Sequence, residues 1–355
     1  MNREKPSPHG SHRNEMRHDP VTGRWVIYAL SRRKRPGDIA RSDRRSRTEP
    51  AFDERCPFCP GHEGSLPGII MEYGGRASPW GLRVVKNKYP ALTPDGGLER
   101  SRQGIYLRME GYGHHEIVIE TPVHNRQIPS LSGEEMELII EAYHRRYLDL
   151  MEYDRNMLIV IFRNHGPRAG ASLIHPHSQI IATGLVPGHI REREYRAERY
   201  FDECGRCLYC DMIREELSAR ARIIHENPSF VCFVPYAASQ PFEVSIMPRA
   251  HKAHFGEISD REKTDLAACL RGMVELQRSA LGDPDYNYVI HSSAKFRAGE
   301  PQAHWFLKLR PRLSVPAGFE IGSGMSISTS LPEEDAAFLR AAESEKKGAR
   351  DDLPA

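Results

Sequence analysis

Long hydrophobic runs are missing from this chain. The best of them, such as Met157 to Phe162, are strand-sized, well short of the roughly 20 apolar residues a spanning helix needs. An integral helical membrane protein is therefore excluded. An excess of one charge is also missing: 50 Lys and Arg stand against 48 Asp and Glu, a net charge of +2 over 355 residues. A general nucleic-acid binder shows a clear basic excess, so that class is disfavoured, although local basic clusters remain candidate sites for a small anion. Met1 to His18 is polar and lacks the apolar stretch of a secretory signal. The chain reads as cytoplasmic, where thiols stay reduced.

What is present fits a soluble, highly charged protein of one or two domains: 39% hydrophobic, 28% charged, mean hydropathy -0.57. There are 7 cysteines. Cys56 and Cys59 form one C-x-x-C, and Cys204, Cys207 and Cys210 form two that overlap. In a reducing compartment such spacing argues for metal before disulfide. Cys232 and Cys269 sit in apolar settings and read as core residues.

The two ends, 1–18 and 336–355, read as polar tails, disordered over the first residues and from Glu343 onward, and Ser31 to Arg55 reads as a basic loop. Between them strand and helix patterns alternate. Trp25 to Leu30, Leu82 to Val85, Glu116 to Glu120 and Met157 to Phe162 read as strands. Ser132 to Tyr153 carries apolar residues at helical spacing, with Glu134 and Glu135 in the first turn behind Ser132. The second half repeats this order: strands at Phe230 to Val234 and Glu243 to Met247, a helix over Ser259 to Leu281, and strands at Tyr286 to His291 and Ala303 to Leu309. The segments EIVIETPVH, ending at His124, and EVSIMPRAH, ending at His251, correspond. An internal duplication follows, with two unrelated α+β segments as the alternative.

The sharpest motif is His175-Pro176-His177-Ser178-Gln179, inside SLIHPHSQIIA, which reads as a strand. Alternation then puts His175, His177 and Gln179 on one face. Upstream, NHGPRAGAS (Asn164 to Ser172) is a glycine-containing loop whose backbone amides suit a phosphate. A neutral imidazole is a competent nucleophile at phosphorus, and Gln can donate to a phosphoryl oxygen as charge develops. A purely structural pair of histidines is the plainer alternative. Cys56 and Cys59 suit one Zn²⁺ that needs two more ligands, for which His124 and His175 are candidates; a redox pair lacks its usual βαβ context. The duplication pairs Cys207 and Cys210 with His251 and His291, leaving Cys204 spare. Taken alone, Arg32 to Arg35 is a solvated loop and Asn87 to Leu92 a weak base or ribose contact.

With these motifs in place the chain resembles galactose-1-phosphate uridylyltransferases, of the histidine-triad superfamily. The stretches that carry the likeness are SRRKRP, VVKNKYPAL, TPVHN, NHGPRAGASLIHPHSQ and HWFLKLRPRL…GFEIGSG, from about Trp25 to Leu331. The resemblance implies an α+β fold of two related histidine-triad-like halves, 19–195 and 196–335, with antiparallel sheets flanked by helices. It implies His177 as the nucleophile that takes the nucleotidyl group and Gln179 as its phosphate partner. Cys56, Cys59, His124 and His175 match a structural zinc site. Arg32, Arg35, Asn87, Asn164, Gly170 and Ser172 match positions around the nucleotide and phosphates; Lys308, Phe319 and Glu320 lie in the segment that reaches the hexose phosphate. Two zinc ions per chain, a nucleotide sugar and a sugar 1-phosphate as substrates, and a homodimer are the further expectations.

One departure bears on specificity. Well-known bacterial members build a second metal site from a Glu and three histidines, two of them as H-x-H; here that place reads His304-Trp305-Phe306. With the Cys207, Cys210, His251, His291 set and GFEIGSG, the chain is similar to the branch that includes ADP-glucose phosphorylase. The expected reaction is ping-pong transfer from UDP-glucose to galactose 1-phosphate, with adenylyl transfer to phosphate as the alternative. The rivals are a zinc-stabilised nucleotide-binding protein and a nucleotide hydrolase. Hydrolases of the superfamily carry a further His where Gln179 stands.

Overall fold

The computed structural model describes residues 13–30, 49–74 and 80–351, with side chains through Glu343. In chain order the elements are β1 (Glu15–His18), β2 (Trp25–Tyr28), β3 (Ile69–Tyr73), β4 (Leu82–Lys86), β5 (Arg100–Gln103), β6 (Tyr106–Met109), β7 (Gly113–Ile119), α1 (Gly133–Met151), β8 (Leu158–His165) and β9 (His177–Thr183). Then follow α2 (Gly188–Cys204), α3 (Leu208–Ala219), β10 (Ile223–Glu226), β11 (Phe230–Phe233), β12 (Val244–Pro248), α4 (Asp260–Leu281), β13 (Tyr286–His291), β14 (Phe306–Pro311), α5 (Gly318–Ser323), β15 (Ser326–Ser328) and α6 (Pro332–Asp351). The fold is α+β, and the large sheet is antiparallel throughout.

That sheet has 10 strands in the order β10-β11-β12-β14-β13-β8-β9-β7-β4-β3. Read inward from either edge, the order repeats: β3-β4-β7-β9-β8 from one side, β10-β11-β12-β14-β13 from the other. The halves join where β8 meets β13, with Asn287 opposite Asn164 and Ile290 opposite Ile161. The duplication expected from the sequence is thus a repeated strand order on one continuous sheet.

The helices α1 and α4 cover one face. On α1, Met136, Ile139, Ile140, Tyr143, Tyr147 and Leu150 are buried, an i, i+3, i+4, i+7 stripe. Burying each such side chain is worth roughly 1.5–3 kcal/mol, which holds the helix more firmly than propensity does. Ser132 caps it, accepting from the Glu135 N–H while the Glu135 carboxylate accepts from the Ser132 N–H. Ser259 and Glu262 do the same for α4. On β9, Ser178, Ile180 and Ala182 point into this core, and the Tyr143 hydroxyl donates to Ser178 Oγ at 2.6 Å. The pleat therefore sends His177 and Gln179 to the opposite face.

Both expected tails contain regular structure among the described residues. Glu15–His18 pairs with β2, and Arg17 bonds Glu333 at 2.9 Å. Pro332–Asp351 is a helix whose Ala336 and Leu339 are buried in the main core; its polar composition hid a short apolar stripe. The charged segments Gly188–Cys204 and Leu208–Ala219 are helices that the apolar pattern did not announce. No helix among the described residues is long and apolar enough to cross a membrane.

Candidate active site and metal centres

The first Cys/His group closes as the motif suggested. Cys56, Cys59, His124 and His175 are all buried, with ligand atoms within 4.8 Å of one another. Cys59 Sγ lies 3.5 Å from His124 Nδ1 and 3.7 Å from His175 Nδ1, and Cys56 Sγ lies 3.6 Å from His175 Nδ1. Tetrahedral Zn–S and Zn–N bonds place sulfur and nitrogen about 3.5 Å apart, so the set fits such an ion. His175 Nε2–H donates to the Thr121 carbonyl at 2.8 Å. That bond fixes the tautomer and leaves Nδ1 bare for a metal. Burial pushes the His175 imidazole down to about 4 and the Cys56 thiol up to about 11.

The second group is Cys207, Cys210, His251 and His304. Here the sequence expectation of His291 is corrected. Cys210 Sγ lies 3.4 Å from His251 Nδ1 and 3.7 Å from His304 Nδ1, and His304 Nε2–H donates to the Pro248 carbonyl at 3.2 Å. His291 instead stacks on Phe306 with ring centroids 4.7 Å apart, and its Nδ1 accepts from Arg193 Nη1 at 3.1 Å. With its Nδ1 held by that guanidinium, His291 stands outside the Cys/His group. The repeat itself carried the right answer: His175 stands two residues before β9, and His304 stands two residues before β14. Cys204 is exposed and outside the group, while Cys232 and Cys269 are core residues as expected.

His177 opens β9; the strand starts there and not at Ser172, and His175 belongs to the preceding turn. Pro176 still joins the ladder through its carbonyl, which accepts from the Glu120 N–H at 3.1 Å. His177 Nδ1 lies 2.8 Å from the His175 carbonyl. A carbonyl only accepts, so Nδ1 carries the proton and Nε2 is bare. Burial holds the imidazole below its usual range; the bond to His175 opposes this and the Arg163 cation adds to it. The uncharged ring is therefore the resting form near neutrality.

His177 lines a cavity of about 480 Å³ together with Arg163, Asn164, Gly166, Arg168 and Ser172. Gly166 and Gly170 adopt φ of 81° and 85°. A Cβ on Gly166 would lie 2.0 Å from Asp285 Oδ1, so glycine is required there. The loop differs from a phosphate cradle built of backbone amides. The Arg168 N–H donates to Asp285 Oδ2 at 2.6 Å, and the Ala169, Gly170 and Ala171 N–H groups donate within the loop. Among the side chains at the cavity wall, the Asn164 amide and the Ser172 hydroxyl are candidates to meet an anion. Arg163 was not anticipated from sequence. It is buried and donates to both Glu120 oxygens at 3.0 Å and to Gln127 Oε1 at 2.8 Å. An arginine inside the apolar run LIVIFRNH, which must find a partner when buried, was the available clue.

Gln179 Oε1 accepts from His115 Nε2 at 2.8 Å. The Asn87 Nδ2 group lies 3.0 Å from that same nitrogen, and Asn87 Oδ1 accepts from the Tyr89 N–H at 2.8 Å. Asn87 and Gln179 thus share one cluster, which meets His177 only along β9; neither residue lines the cavity of about 480 Å³ itself. Three expected contacts are elsewhere. Lys308 pairs with Glu243 at 2.8 Å, Glu320 accepts from the Ala317 N–H at 2.8 Å, and Phe319 is half-exposed; none lines the cavity beside His177. Arg32 and Arg35 lie outside the described residues.

Two family models match in tandem. Residues 7–187 match the N-terminal domain of galactose-1-phosphate uridyl transferase, and residues 192–313 match its C-terminal domain. The chain belongs to the galactose-1-phosphate uridyl transferase family. It is 36% identical over 331 residues to ADP-glucose phosphorylase of Arabidopsis thaliana, covering 92% of each protein. It is 30% identical to a galactose-1-phosphate uridylyltransferase of Thermotoga maritima, covering 93% of this chain and 99% of that one. Among solved structures, Arabidopsis thaliana ADP-glucose phosphorylase with bound ADP-glucose superposes with a TM-score of 0.78 at 34% identity, covering 93% of this chain and 98% of that one. A uridylyltransferase superposes at 0.73 and 26% identity, with the same coverage. In this family member the boundary between the two matched domains falls in the first turn of α2, and each domain holds one Cys/His group.

Proposed function

We propose that the protein is a nucleotidyltransferase that works through a covalent nucleotidyl-His177. His177 Nε2 attacks the α-phosphorus of a nucleotide sugar. The P–N bond forms as the P–O bond to the sugar 1-phosphate breaks, and that anion leaves with the electron pair. A phosphate oxygen of the acceptor then attacks the same phosphorus, the P–N bond breaks and neutral His177 returns. The acceptor is already an anion, so no base must remove a proton from it. That accounts for an amide, and not a third titrating histidine, at position 179. Asn164, Ser172 and Gln179 are assigned to the phosphates and Asn87 to the nucleoside. The observation that carries the reading is the bare, buried Nε2 of His177 at a cavity wall, its other nitrogen held by the His175 carbonyl.

The sequence reading favoured UDP-glucose and galactose 1-phosphate. The 36% identity to ADP-glucose phosphorylase against 30% to the uridylyltransferase favours ADP-glucose with phosphate as acceptor, and we adopt that pair as the first to assay. Zinc is assigned to both Cys/His groups. A four-ligand Cys₂His₂ ion is closed to substrate and supplies rigidity to the strand ends that carry His175 and His304. The protein is placed in the cytoplasm, which keeps its thiols reduced. A homodimer is the assembly expected, and light scattering measures it directly.

Incubation with α-³²P-labelled ADP-glucose or UDP-glucose tests the reading. Expected is an acid-labile label on His177 with release of one equivalent of glucose 1-phosphate per site. Binding without label would support a nucleotide-binding protein instead, and label-free breakdown would support a hydrolase.

A further inference from the structure

An amide side chain can meet a phosphate with either end. Its NH₂ attracts the anion and its oxygen repels it, so an amide left to choose is a poor anion site. At both amides that the proposed reading assigns to the phosphates, the oxygen is already taken. We propose that His115 and Asn287 are positioning residues: each binds the carbonyl oxygen of one such amide, Gln179 or Asn164, so that only N–H donors are presented to the nucleotide phosphates. This inference rests on the nucleotidyltransferase reading and adds to it the groups that set its electrostatics.

The direction of each hydrogen bond is fixed by groups with no choice of role. At Gln179, the Ala91 backbone N–H meets His115 Nδ1 at 3.1 Å. A backbone N–H only donates, so Nδ1 is bare and Nε2 carries the proton; the Asn87 NH₂, 3.0 Å from Nε2 and 3.4 Å from Nδ1, is too nearly equidistant to lie along the in-plane direction of either nitrogen and does not set the tautomer. That proton points at the atom of Gln179 lying 2.8 Å away, which must be the oxygen. At Asn164, the Ala169 carbonyl only accepts and Arg312 only donates. Arg312 Nε lies 2.6 Å from one end of the Asn287 amide, and the Ala169 carbonyl lies 2.9 Å from the other. The end facing Ala169 is therefore the NH₂, and its second proton reaches Asn164 Oδ1 at 2.8 Å.

The sheet brings these residues together. Gln179 on β9 pairs with Ile117 on β7, which makes His115 its diagonal neighbour on the same face. Asn287 sits directly opposite Asn164 where β13 meets β8, so the orienting group for one phosphate contact comes from the C-terminal half. Donors held in place before the charge develops need no reorganisation during the reaction.

Double-mutant cycles on the full-length, metal-loaded protein test this, reading single-turnover label formation from ADP-glucose and UDP-glucose. His115→Phe is expected to slow labelling at least about tenfold, a fraction of the effect of losing an oxyanion-type donor outright, with the dissociation constant for the nucleotide sugar within about threefold. In a Gln179→Ala background the same change is expected to alter the rate less than about twofold. His115→Gln, which can accept from Ala91 and donate to Gln179, is expected to recover most of the rate. Asn287→Asp keeps the partner of Arg312 but has no proton for Asn164; its effect is expected to shrink to under about twofold in an Asn164→Ala background. Circular dichroism and metal content check that each variant is folded. Equal fold losses in both backgrounds, or a wild-type rate in His115→Phe and Asn287→Asp, overturn the proposal. If Gln179→Ala and Asn164→Ala themselves keep the wild-type rate, the phosphate assignments of the parent reading fail first.

Discussion

The two halves share a scaffold and differ in one residue two places beyond a metal-facing histidine. In each, a C-x-x-C knuckle meets two histidines, and the histidine before the central strand donates through Nε2 to a carbonyl, Thr121 in one half and Pro248 in the other. Two residues on, the N-terminal half has His177 facing a cavity of about 480 Å³. The C-terminal half has Phe306, buried under the stacked His291. The helix α2 contributes Arg193 to that side, and the space left beside His304 is about 20 Å³. The metal knuckle is common to both halves and the cavity-facing nucleophile is not, so the knuckle is scaffold and the chemistry is carried by what the scaffold presents.

Exchange of the residue that differs has the largest expected effect. His177→Ala is expected to abolish nucleotidyl transfer while circular dichroism stays native, because the ring lies on the face away from the main core. Phe306→Leu in the other half is expected to leave turnover within about twofold, its cost appearing in a denaturant melt because a smaller side chain replaces a buried ring far from the nucleophile. Turnover that survives in the first or vanishes in the second would remove the functional asymmetry.

Metal content sharpens the other side of the comparison. Protein purified without added metal is expected to hold two zinc ions per chain. His304→Ala should lower this to one and His291→Ala should leave it at two; the reverse pattern would reinstate His291 as the ligand. Cys56→Ser should lower the melting temperature as well, because binding free energy at such a site is folding free energy. A further difference is how charge is buried. The N-terminal half buries both members of the Arg163–Glu120 pair, at side-chain exposures of 1% and 0%, whereas in the C-terminal half the buried carboxylate of Glu243 is met by the partly exposed Lys308 and Arg310, at 21% and 35%. Glu120→Gln leaves Arg163 without its counter-charge, at a cost of about 3–5 kcal/mol in a denaturant melt. A loss below 1 kcal/mol would show that Gln127 and Tyr286 suffice for the guanidinium.

The parts of this comparison that the sequence disclosed are those with a local signature. Ser132 with Glu135 marked the start of α1, and the spacing of Met136, Ile139, Ile140 and Tyr143 marked its buried face. The alternation around His177 and Gln179 gave their shared face. The first metal group was legible because its ligands flank recognisable motifs. The second was misread because chain order alone made the strand-end His291 look equivalent to His175, when the equivalence runs through the strand that follows. Helix α2 was silent for another reason: GHIREREYRAERYFDEC buries only Ile190, Arg193 and Ala197, too few apolar positions to trace a stripe. His115 and Asn287 act across strands, and no spacing within one segment reveals a cross-strand hydrogen bond.

Gln179 offers a smaller test within the N-terminal half. Gln179→His would put a titrating donor where the superfamily's hydrolases have one. Transfer is expected to fall and slow hydrolysis of the nucleotide sugar to appear, since a placed general acid is worth about a hundredfold or more. An unchanged transfer rate would show that Gln179 does not touch the reacting phosphate.

The smallest expected effect is a flat region in a pH profile. Only the neutral imidazole of His177 can attack phosphorus. Burial lowers its affinity for a proton, the neighbouring Arg163 cation lowers it further, and the bond from Nδ1–H to the His175 carbonyl opposes both. A histidine with a depressed value stays neutral above the ordinary 6.5 and charges only as pH falls below it. The labelling rate should therefore be level from pH 8 down to about 6.5 and decline only at more acid pH. The linked stability has the same sign: it is fully present above the unfolded value and lost as pH falls through the folded one. Arg163→Met removes the cation, so its decline should begin at higher pH than in the wild type, provided the melt shows the variant folded. A wild-type rate that already halves near pH 7 would mean that the ring titrates as if exposed, and the contrast with the closed, apolar surroundings of Phe306 would then be one of geometry without electrostatics.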